Sequence, residues 1–348
     1  MRRLSIFAVS LALFACLLGG CGTAGQKVEV DPTPAASVTT SAYSDQWLSI
    51  DVPAGFQAVS CGSGFDHVLR VYDPTAPDCQ VFLMLKYQPL LKSQAGQDYW
   101  KKLAVKKPAF AIYGAAPVMA RPSTAAFFMR LEPSLTLASS FSPELKDCAW
   151  PQVDDLMPLE TAATQSLLAA SSADDAIVRA SFQGGQGLCE GLFSADVVDH
   201  GPLFAGSTDI SYYLVYDIVF ISASASSFSE WQGVLSRCLA SLKFNDGFTS
   251  SLQDQDGYMT GGQLNDEVQA VQASLDAAWA GRSAHFDAQL QSQGDQQAGY
   301  VRVKDVKTGK VYKAAADWAD TYKGDDYELV SADQDYAQPV EGYVKIAG

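Results

Sequence analysis

The run ISYYLVYDIVFISA, residues 210–223, constrains the fold of this chain more than any other segment. It is apolar and rich in β-branched and aromatic residues, which favour strands over helices. A strand of nearly continuous hydrophobicity is typical of the centre of a sheet, where both faces are covered. We therefore expect a sheet that contains this segment and has other strands on either side of it.

Other segments have the pattern of strands that would complete such a sheet. Residues 47–56, WLSIDVPAGF, alternate apolar and polar side chains and then reach a Pro-x-Gly turn, as a half-buried strand does. Residues 65–74 and 79–87 continue the pattern across a proline-containing break, which indicates an antiparallel meander. Residues 176–198 contain two further β-type runs joined by QGGQG. This glycine-rich segment lacks the Gly-Lys-Ser/Thr of a phosphate-binding loop, so we interpret it as a hairpin turn.

Helical periodicity marks the elements that would cover the sheet. Short helices are expected at 90–104 and at 121–131, the latter with Ser123 as its N-cap. Residues 133–173 have no clear period apart from a candidate helix around 160–170. Residues 226–244 predict an amphipathic helix, and its apolar stripe consists of Phe228, Trp231, Leu235, Cys238 and Leu242.

The last quarter of the chain follows a polar break at 245–262 and has a second pattern of helix and strand signals. A helix with one apolar face is expected to begin at Leu264 and can reach Leu290. Gly281 is its weak point, because glycine disfavours the helical conformation. Short β-like runs flank the segment VKTGK at 306–310 as a hairpin. The sequence therefore predicts an α+β protein, in which a mainly antiparallel sheet packs against helices over about 46–245. A small C-terminal helix and β-hairpin unit follows over about 263–348.

The N-terminus has the order of features found in export signals. Arg2 and Arg3 precede an apolar stretch from Leu4 to Leu18, and Gly19 and Gly20 lead into Cys21. The stretch is shorter than the roughly 20 residues that span a bilayer as a helix. Residues 18–21, LGGC, resemble the lipobox of bacterial lipoproteins, in which the cysteine is acylated and becomes the mature N-terminus. We therefore expect a signal peptide at 1–20, a lipid anchor at Cys21 and a flexible tether at 21–45.

The charge of the chain limits its partners. It has 24 Lys and Arg against 39 Asp and Glu, a net charge of −15, and loss of Arg2 and Arg3 with the signal makes this −17. Nucleic-acid binding depends on basic side chains that displace counterions, so we exclude that function class. The partners that we expect are the membrane, through the lipid anchor, and an envelope protein or carbohydrate.

Five cysteines remain after Cys16 is lost with the signal and Cys21 is acylated. An oxidising compartment would permit two disulfides and one free thiol in several pairings. Cys61 and Cys79 are our first candidates for a bridge, because they flank the run 65–72 and could link neighbouring strands. Cys238 lies on the stripe of a predicted helix, where a buried, unreactive thiol is expected.

Two segments at the ends of the larger domain resemble the PsbP/DcrB-like class. There, an N-terminal strand ending in a Pro-x-Gly turn and a C-terminal helix ending in Ser-Leu-Lys-Phe enclose a mainly antiparallel sheet, as in LSIDVPAGF and LSRCLASLKF here. The segments VYDPTAPDCQVFLMLKY, CEGLFSADV and YVRVKDVKTGKVYKA resemble a family of bacterial lipoproteins with the same two-part layout. The resemblance covers most of residues 46–348. It implies a PsbP/Mog1-like sandwich and an accessory or docking role, and it carries over no catalytic residues.

No local motif for catalysis, a metal or a cofactor is present in the sequence. The histidines His67, His200 and His285 are scattered, and no HExxH or CxxC spacing occurs. Residues 252–263 overlay a calcium loop, but Leu252 and Gln263 stand where its first and last ligands belong. We therefore predict no metal site, no cofactor and no catalytic residue from the sequence.

Aromatic residues crowd the C-terminal part and are candidates for protein or carbohydrate contact, with a compact aromatic core as the alternative. They are Trp318, Tyr322, Tyr327, Tyr336 and Tyr343. The expected function is a non-catalytic binding or docking role on the extracytoplasmic face of the cell membrane. A hydrolase without a local motif, or a ligand-capturing lipoprotein of an import system with a deep apolar pocket, are the alternatives.

Overall fold

The structure is a computed structural model that describes residues 28–32, 38–253, 256–331 and 334–346. The predicted signal peptide at 1–20 and the predicted lipid anchor at Cys21 lie outside the described residues. The described chain divides into two compact units. The smaller unit contains residues 28–32, 301–330 and 339–346, and the larger unit contains the other described residues.

The strands, in chain order, are β1 (Val28–Pro32), β2 (Thr40–Ser44), β3 (Leu48–Pro53), β4 (Gln57–Cys61), β5 (Val68–Tyr72), β6 (Gln80–Leu91), β7 (Asp154–Ala162), β8 (Ser172–Asp174), β9 (Ile177–Gly184), β10 (Gly187–His200), β11 (Phe204–Ala205), β12 (Thr208–Asp209), β13 (Tyr212–Ser224), β14 (Lys243–Phe244), β15 (Tyr300–Asp305), β16 (Val311–Ala315), β17 (Tyr327–Leu329) and β18 (Val340–Ile346). The helices are α1 (Gln94–Lys106), α2 (Ala111–Ala115), α3 (Thr124–Phe128), α4 (Leu131–Phe141), α5 (Phe228–Ala240), α6 (Asp246–Ser251), α7 (Leu264–Ala280), α8 (Ala284–Gln297) and α9 (Ala316–Thr321).

The main sheet of the larger unit has the strand order β4-β5-β6-β13-β10-β9-β7, with β8 paired to β10. Each of these neighbouring pairs is antiparallel. Every residue of β13 from Tyr212 to Ala223 is buried, because strands cover its edges and other elements cover its faces. The predicted α+β class with a mainly antiparallel sheet is confirmed, and the run at 210–223 is its central strand.

The two segments at the ends of the larger domain meet in space. Strand β3 pairs with β14 through Lys243 opposite Ser49 and Phe244 opposite Leu48, and β2 pairs with the other edge of β3. Leu48, together with the alternating Ile50 and Val52, is buried in the hydrophobic core. Strand β3, near the start of the larger domain, therefore pairs with residues that lie just after helix α5.

Helix α5 covers the main sheet with the stripe that its periodicity predicts. Phe228, Leu235 and Cys238 are buried and belong to the core, with Trp231 partly buried against it. The N-cap predicted at Ser123 is also confirmed, because its hydroxyl accepts a hydrogen bond from the backbone N–H of Ala126 at the start of α3. Local periodicity and capping therefore specify these helices correctly.

Four sequence-based expectations are wrong. The candidate helix around 160–170 is absent, because residues up to Ala162 belong to strand β7. The tether predicted at 21–45 contains β1 and β2, and β1 pairs with β18 from Val28 opposite Ile346 onward. The boundary predicted at 245–263 between the larger domain and the C-terminal unit is wrong, because α7 and α8 belong to the larger unit. The predicted long helix is split in two at Gly281, which ends α7.

A disulfide joins Cys61, at the end of β4, to Cys148. This corrects the predicted pairing of Cys61 with Cys79, which is a free, buried thiol. Strand β4 lies at the edge of the main sheet, and an edge strand has backbone hydrogen bonds on one side only. The bridge therefore ties this edge strand to a segment 87 residues further along the chain.

We expect the double substitution of Cys61→Ser and Cys148→Ser to lower the free energy of unfolding by about 2 to 4 kcal/mol, because the bridge restricts the unfolded chain over a long loop. Denaturant unfolding with and without a reductant measures this. The reductant should destabilise the native chain and leave the double variant unchanged. Peptide mapping that finds Cys61 linked to Cys79 would contradict the structure.

Candidate functional site

The structure describes the aromatic residues predicted for a binding surface but not the cysteine predicted for a membrane anchor. Cys21 lies outside the described residues, and none of the described helices combines the length and apolar composition that crossing a bilayer requires. In the smaller unit, Trp318 is buried and stacks on Tyr322 with ring centroids 4.4 Å apart, and Tyr327 meets both rings edge-on. These three aromatic residues therefore form a small core, with Tyr322 and Tyr327 partly exposed.

The other two predicted aromatic residues are placed elsewhere. Tyr336 belongs to the larger unit, where it is buried and its hydroxyl donates a hydrogen bond to Asp295 at 2.9 Å. Tyr343 lies on β18 of the smaller unit and is partly exposed, with the ammonium of Lys313 6.0 Å from its ring centre. The five residues thus do not form one surface, and their role in binding stays a prediction.

The glycine-rich turn QGGQG joins β9 to β10 as the predicted hairpin. Its backbone N–H groups do hold an anion, but this anion is the side chain of Asp78. Gly185 donates to Asp78 Oδ1 at 3.0 Å, and Gln186 donates to Asp78 Oδ2 at 2.9 Å. A Cβ atom at Gly184 would lie 2.5 Å from the Asp78 carboxyl carbon. Glycine is therefore required here for the close approach of a carboxylate of the same chain.

A serine and a histidine form a hydrogen-bonded pair near the start of the larger domain. Ser60 Oγ lies 3.2 Å from His67 Nε2, as in a nucleophile and its general base. The nearby carboxylate of Asp45, however, accepts hydrogen bonds from the backbone N–H groups of Trp47 at 2.7 Å and Leu48 at 2.9 Å. Among the hydrogen bonds of the described residues, none joins a carboxylate to the His67 ring, and this ring is fully buried. The pair therefore lacks the orientation and access of a catalytic triad.

The His67 ring is enclosed by Trp47, Phe244 and Phe248, with ring centroids 5.4 to 6.3 Å away. This burial lowers its pKa to about 4, although the negative charge of Asp45 opposes the change. The histidine of an unfolded chain has a pKa of about 6.5. The folded protein therefore binds fewer protons than the unfolded chain between these values, and stability is lost as the pH falls from about 6.5 to about 4.

A buried arginine on the main sheet forms ion pairs with three carboxylates. Arg179 on β9 lies 2.8 Å from Glu160, 2.6 Å from Glu190 and in direct contact with Asp287. Asp287 also accepts a hydrogen bond from Arg282 at 2.8 Å. Removing one partner of such a buried network leaves an uncompensated charge. These acidic side chains are therefore matched by guanidinium groups of the same chain.

A second buried group of carboxylates has no basic side chain paired with it among the described residues. Asp196, Asp217 and Glu267 are 0 %, 4 % and 1 % exposed. Each offers an oxygen, and these oxygens all lie within 4.8 Å of one another. Within the described part of the chain, no ion pair links any of the three to Lys, Arg or His. This cluster cannot be recognised from the sequence, because its members are far apart in the chain and no local spacing signals them.

An irregularity in the pairing of β10 with β13 brings acidic side chains of these two strands close together. The register between β10 and β13 shifts between Ser194 and Asp196, which leaves an extra residue on β13. Asp217 lies at this bulge with a φ of 49°, a left-handed conformation that Asp tolerates better than most residues. The third carboxylate, Glu267, comes from the first turn of α7, which packs on β10 and β13.

Two small cavities lie in the larger unit. One, of about 110 Å³, is lined by residues that include Arg179, Arg282 and Ala278. The other, of about 70 Å³, lies beside Asp78 and Cys79. Sites for small organic ligands usually have a volume of about 300 Å³ or more. These two cavities are therefore too small for the deep pocket that a ligand-capturing protein requires.

Comparisons with known proteins give similarities at the level of structure and none at the level of sequence. No family model matches the sequence, and a search of curated proteins gives no significant match. Among solved structures, the chain is similar to the solution structure of cyanobacterial PsbP (CyanoP) from Synechocystis sp. PCC 6803, with 13% sequence identity and a TM-score of 0.25. The match covers 66% of this chain and 99% of that chain. With so low a TM-score, this similarity supports no conclusion about function.

We expect the substitution His67→Phe to remove part of the acid sensitivity of the fold. Between pH 7 and pH 4, the free energy of unfolding of the native protein should fall by about 3 kcal/mol more than that of the variant, since the His67 pKa is lowered to about 4. Urea unfolding at several pH values measures this. The substitution His285→Gln at an exposed position is the control and should keep the native pH dependence. Equal pH dependence in all three proteins would contradict a buried, neutral His67.

Proposed function

We propose that this chain is a lipid-anchored extracytoplasmic lipoprotein of the PsbP/DcrB-like family that its motifs resemble, with a non-catalytic binding role in the cell envelope. The observation that carries this proposal is the order of features before Cys21: the pair Arg2 and Arg3, an apolar stretch, and LGGC at 18–21. Acyl chains on a cysteine contribute roughly 0.8 kcal/mol per buried methylene to membrane binding. Several chains would hold the protein at the membrane.

The disulfide between Cys61 and Cys148 supports an exported location. Disulfides persist in oxidising compartments and are rare where thioredoxin and glutathione keep thiols reduced. The bridge ties an edge strand of the main sheet, so the fold gains from an environment in which it stays closed. This agrees with a chain that folds outside the cytoplasm.

The candidate nucleophiles of the described chain support a binding role. Cys79, Cys189 and Cys238 are buried, and burial raises the pKa of each thiol, to about 12 for Cys238. A thiol with a raised pKa is protonated near neutral pH and is a poor nucleophile. Ser60 is hydrogen-bonded to a buried histidine without a carboxylate on its ring. These groups therefore lack the features of an activated nucleophile.

The position of β1 brings the smaller unit close to the proposed anchor. Seven residues of chain lead from Cys21 to Val28, the first residue of β1, and seven extended residues reach at most roughly 25 Å. A lipid on Cys21 would therefore hold this unit within that distance of the membrane surface. Tyr322, Tyr327 and Tyr343 are among its partly exposed aromatic residues, suited to contact with an envelope protein or carbohydrate.

We expect the substitution Cys21→Ser to release the protein from the membrane fraction of its own cells. Mass spectrometry of the N-terminal peptide should find an acylated cysteine at position 21 in the native protein. The matched control Cys16→Ser changes a cysteine within the signal and should leave acylation and membrane attachment intact. An unmodified Cys21, or a Cys21→Ser variant that stays with the membrane, would overturn the proposed anchor.

The binding role is tested with envelopes from cells that lack the protein. The purified mature protein should bind to them saturably, and Tyr343→Ala or Tyr322→Ala should weaken this binding by roughly tenfold, the effect of losing about 1.4 kcal/mol of contact energy. Tyr99→Ala, on the larger unit, is the control. Binding that is unaffected by both substitutions excludes the aromatic surface, and release of soluble envelope fragments by the native protein would contradict a non-catalytic role.

A further inference from the structure

The cluster of Asp196, Asp217 and Glu267 lies where three parts of the larger unit meet. Asp196 is on β10, Asp217 is on the neighbouring β13, and Glu267 is on helix α7. All three side chains are buried, and their oxygens lie within 4.8 Å of one another. Three ionised carboxylates so close together would repel each other strongly in a medium of low dielectric constant. The cluster therefore requires either bound protons or a bound cation.

Hydrogen bonds hold one side of this cluster in place. The hydroxyl groups of Ser166 and Ser172 donate to the two oxygens of Asp196 at 2.9 and 3.0 Å. The backbone N–H of Leu167 donates to Glu267 Oε2 at 2.6 Å. These donors fix the orientation of two carboxylates, as the residues around a metal site fix its ligands. These hydrogen bonds lower the pKa of both groups, whereas burial, the larger effect, raises it, to about 7 for Asp196.

Two oxygens of the cluster are buried and have no hydrogen-bond partner. They are Asp217 Oδ2 and Glu267 Oε1, and neither side chain has an ion pair among the described residues. An unpaired buried polar atom destabilises the folded protein, and an unpaired charged group does so more strongly. Burial and the neighbouring acids raise the pKa of Asp217 well above its usual value. The Arg179 network shows that elsewhere this fold matches buried carboxylates with cations.

The donor atoms indicate which cation would fit. Carboxylate oxygens are hard ligands, which suit calcium, magnesium and manganese and not the softer metals. Calcium binds oxygens at 2.3 to 2.6 Å, so two ligands on opposite sides of it are about 4.6 to 5.2 Å apart. Magnesium binds at 2.0 to 2.1 Å, which limits the same span to about 4.2 Å. The oxygens of the cluster lie within 4.8 Å of one another, a spacing that the wider coordination sphere of calcium accommodates.

We propose that Asp196, Asp217 and Glu267 form a calcium site that joins β10, β13 and α7. Bound calcium supplies the positive charge that the cluster lacks and gives the two unpaired oxygens a partner. Three carboxylates can supply up to six oxygens, within the six to eight that calcium takes. The site is structural, because its ligands are buried beneath the segment that contains Ser166 and Ser172. The proposal departs from the sequence-based expectation of no metal, and it does not depend on the lipid anchor.

The test uses the purified mature protein, treated with EDTA and then titrated with calcium chloride. We expect one calcium ion per chain by elemental analysis, half-saturation between about 1 µM and 1 mM, the range of sensor and extracellular calcium sites, and a melting temperature several degrees higher than in EDTA. Magnesium and manganese chloride are titrated in parallel. A larger shift with either of these metals would overturn the assignment to calcium.

The substitutions Glu267→Gln and Asp217→Asn keep the size of each side chain and remove its charge. Either variant should lose the bound calcium and the calcium-dependent shift, and should be at least as stable as the native protein in EDTA, since repulsion within the cluster is reduced. Asp266→Asn, at the exposed neighbouring position on α7, is the matched control and should keep both. Native protein that neither binds calcium nor shifts up to 10 mM would overturn the proposal, and so would a full shift in both cluster variants.

Discussion

The antiparallel pairing of β10 with β13 is the constraint on which the rest of the larger unit depends. Both strands are long and almost entirely buried, so neither can face water and both must be covered on two sides. The strands from β4 to β7 extend the sheet on its two edges, and α5 and α7 pack on this central pair. Apart from residues at the strand ends, such as Asp199 and Ser224, the side chains on β10 and β13 therefore have no access to solvent. Each buried polar group among them needs a partner within the protein.

Two solutions to this requirement are found in the same sheet. On β9 and β10, Arg179 binds Glu190 and shares Asp287 with Arg282, so buried acids are neutralised by guanidinium groups. At the bulge between β10 and β13, Asp196 and Asp217 face Glu267 with hydroxyl and backbone donors alone. The Asp78 carboxylate is a further buried acid, held by the backbone N–H groups of a glycine-rich turn. An acidic chain thus buries part of its negative charge, and the carboxylate cluster differs from the other two groups because Asp217 Oδ2 and Glu267 Oε1 have no hydrogen-bond partner.

The sequence predicts what depends on neighbours along the chain. The stripe of α5, the N-cap at Ser123 and the central strand at 210–223 follow from periodicity, capping chemistry and β-propensity, which act over a few residues. Pairings between distant residues leave no such signal. The bridge from Cys61 to Cys148 spans 87 residues, and the strand β1 is defined only by its partner β18 at the other end of the chain. The carboxylate cluster is hidden for the same reason, since the bulge that turns Asp217 inward depends on register.

The pairing of β1 with β18 places the proposed attachment point and the C-terminal strand in one sheet. If lipid holds Cys21, any pull between membrane and larger unit travels along β1 itself, because this strand leads directly from the anchor to the rest of the chain. Tension strong enough to separate β1 from β18 would uncover a free strand edge in the smaller unit.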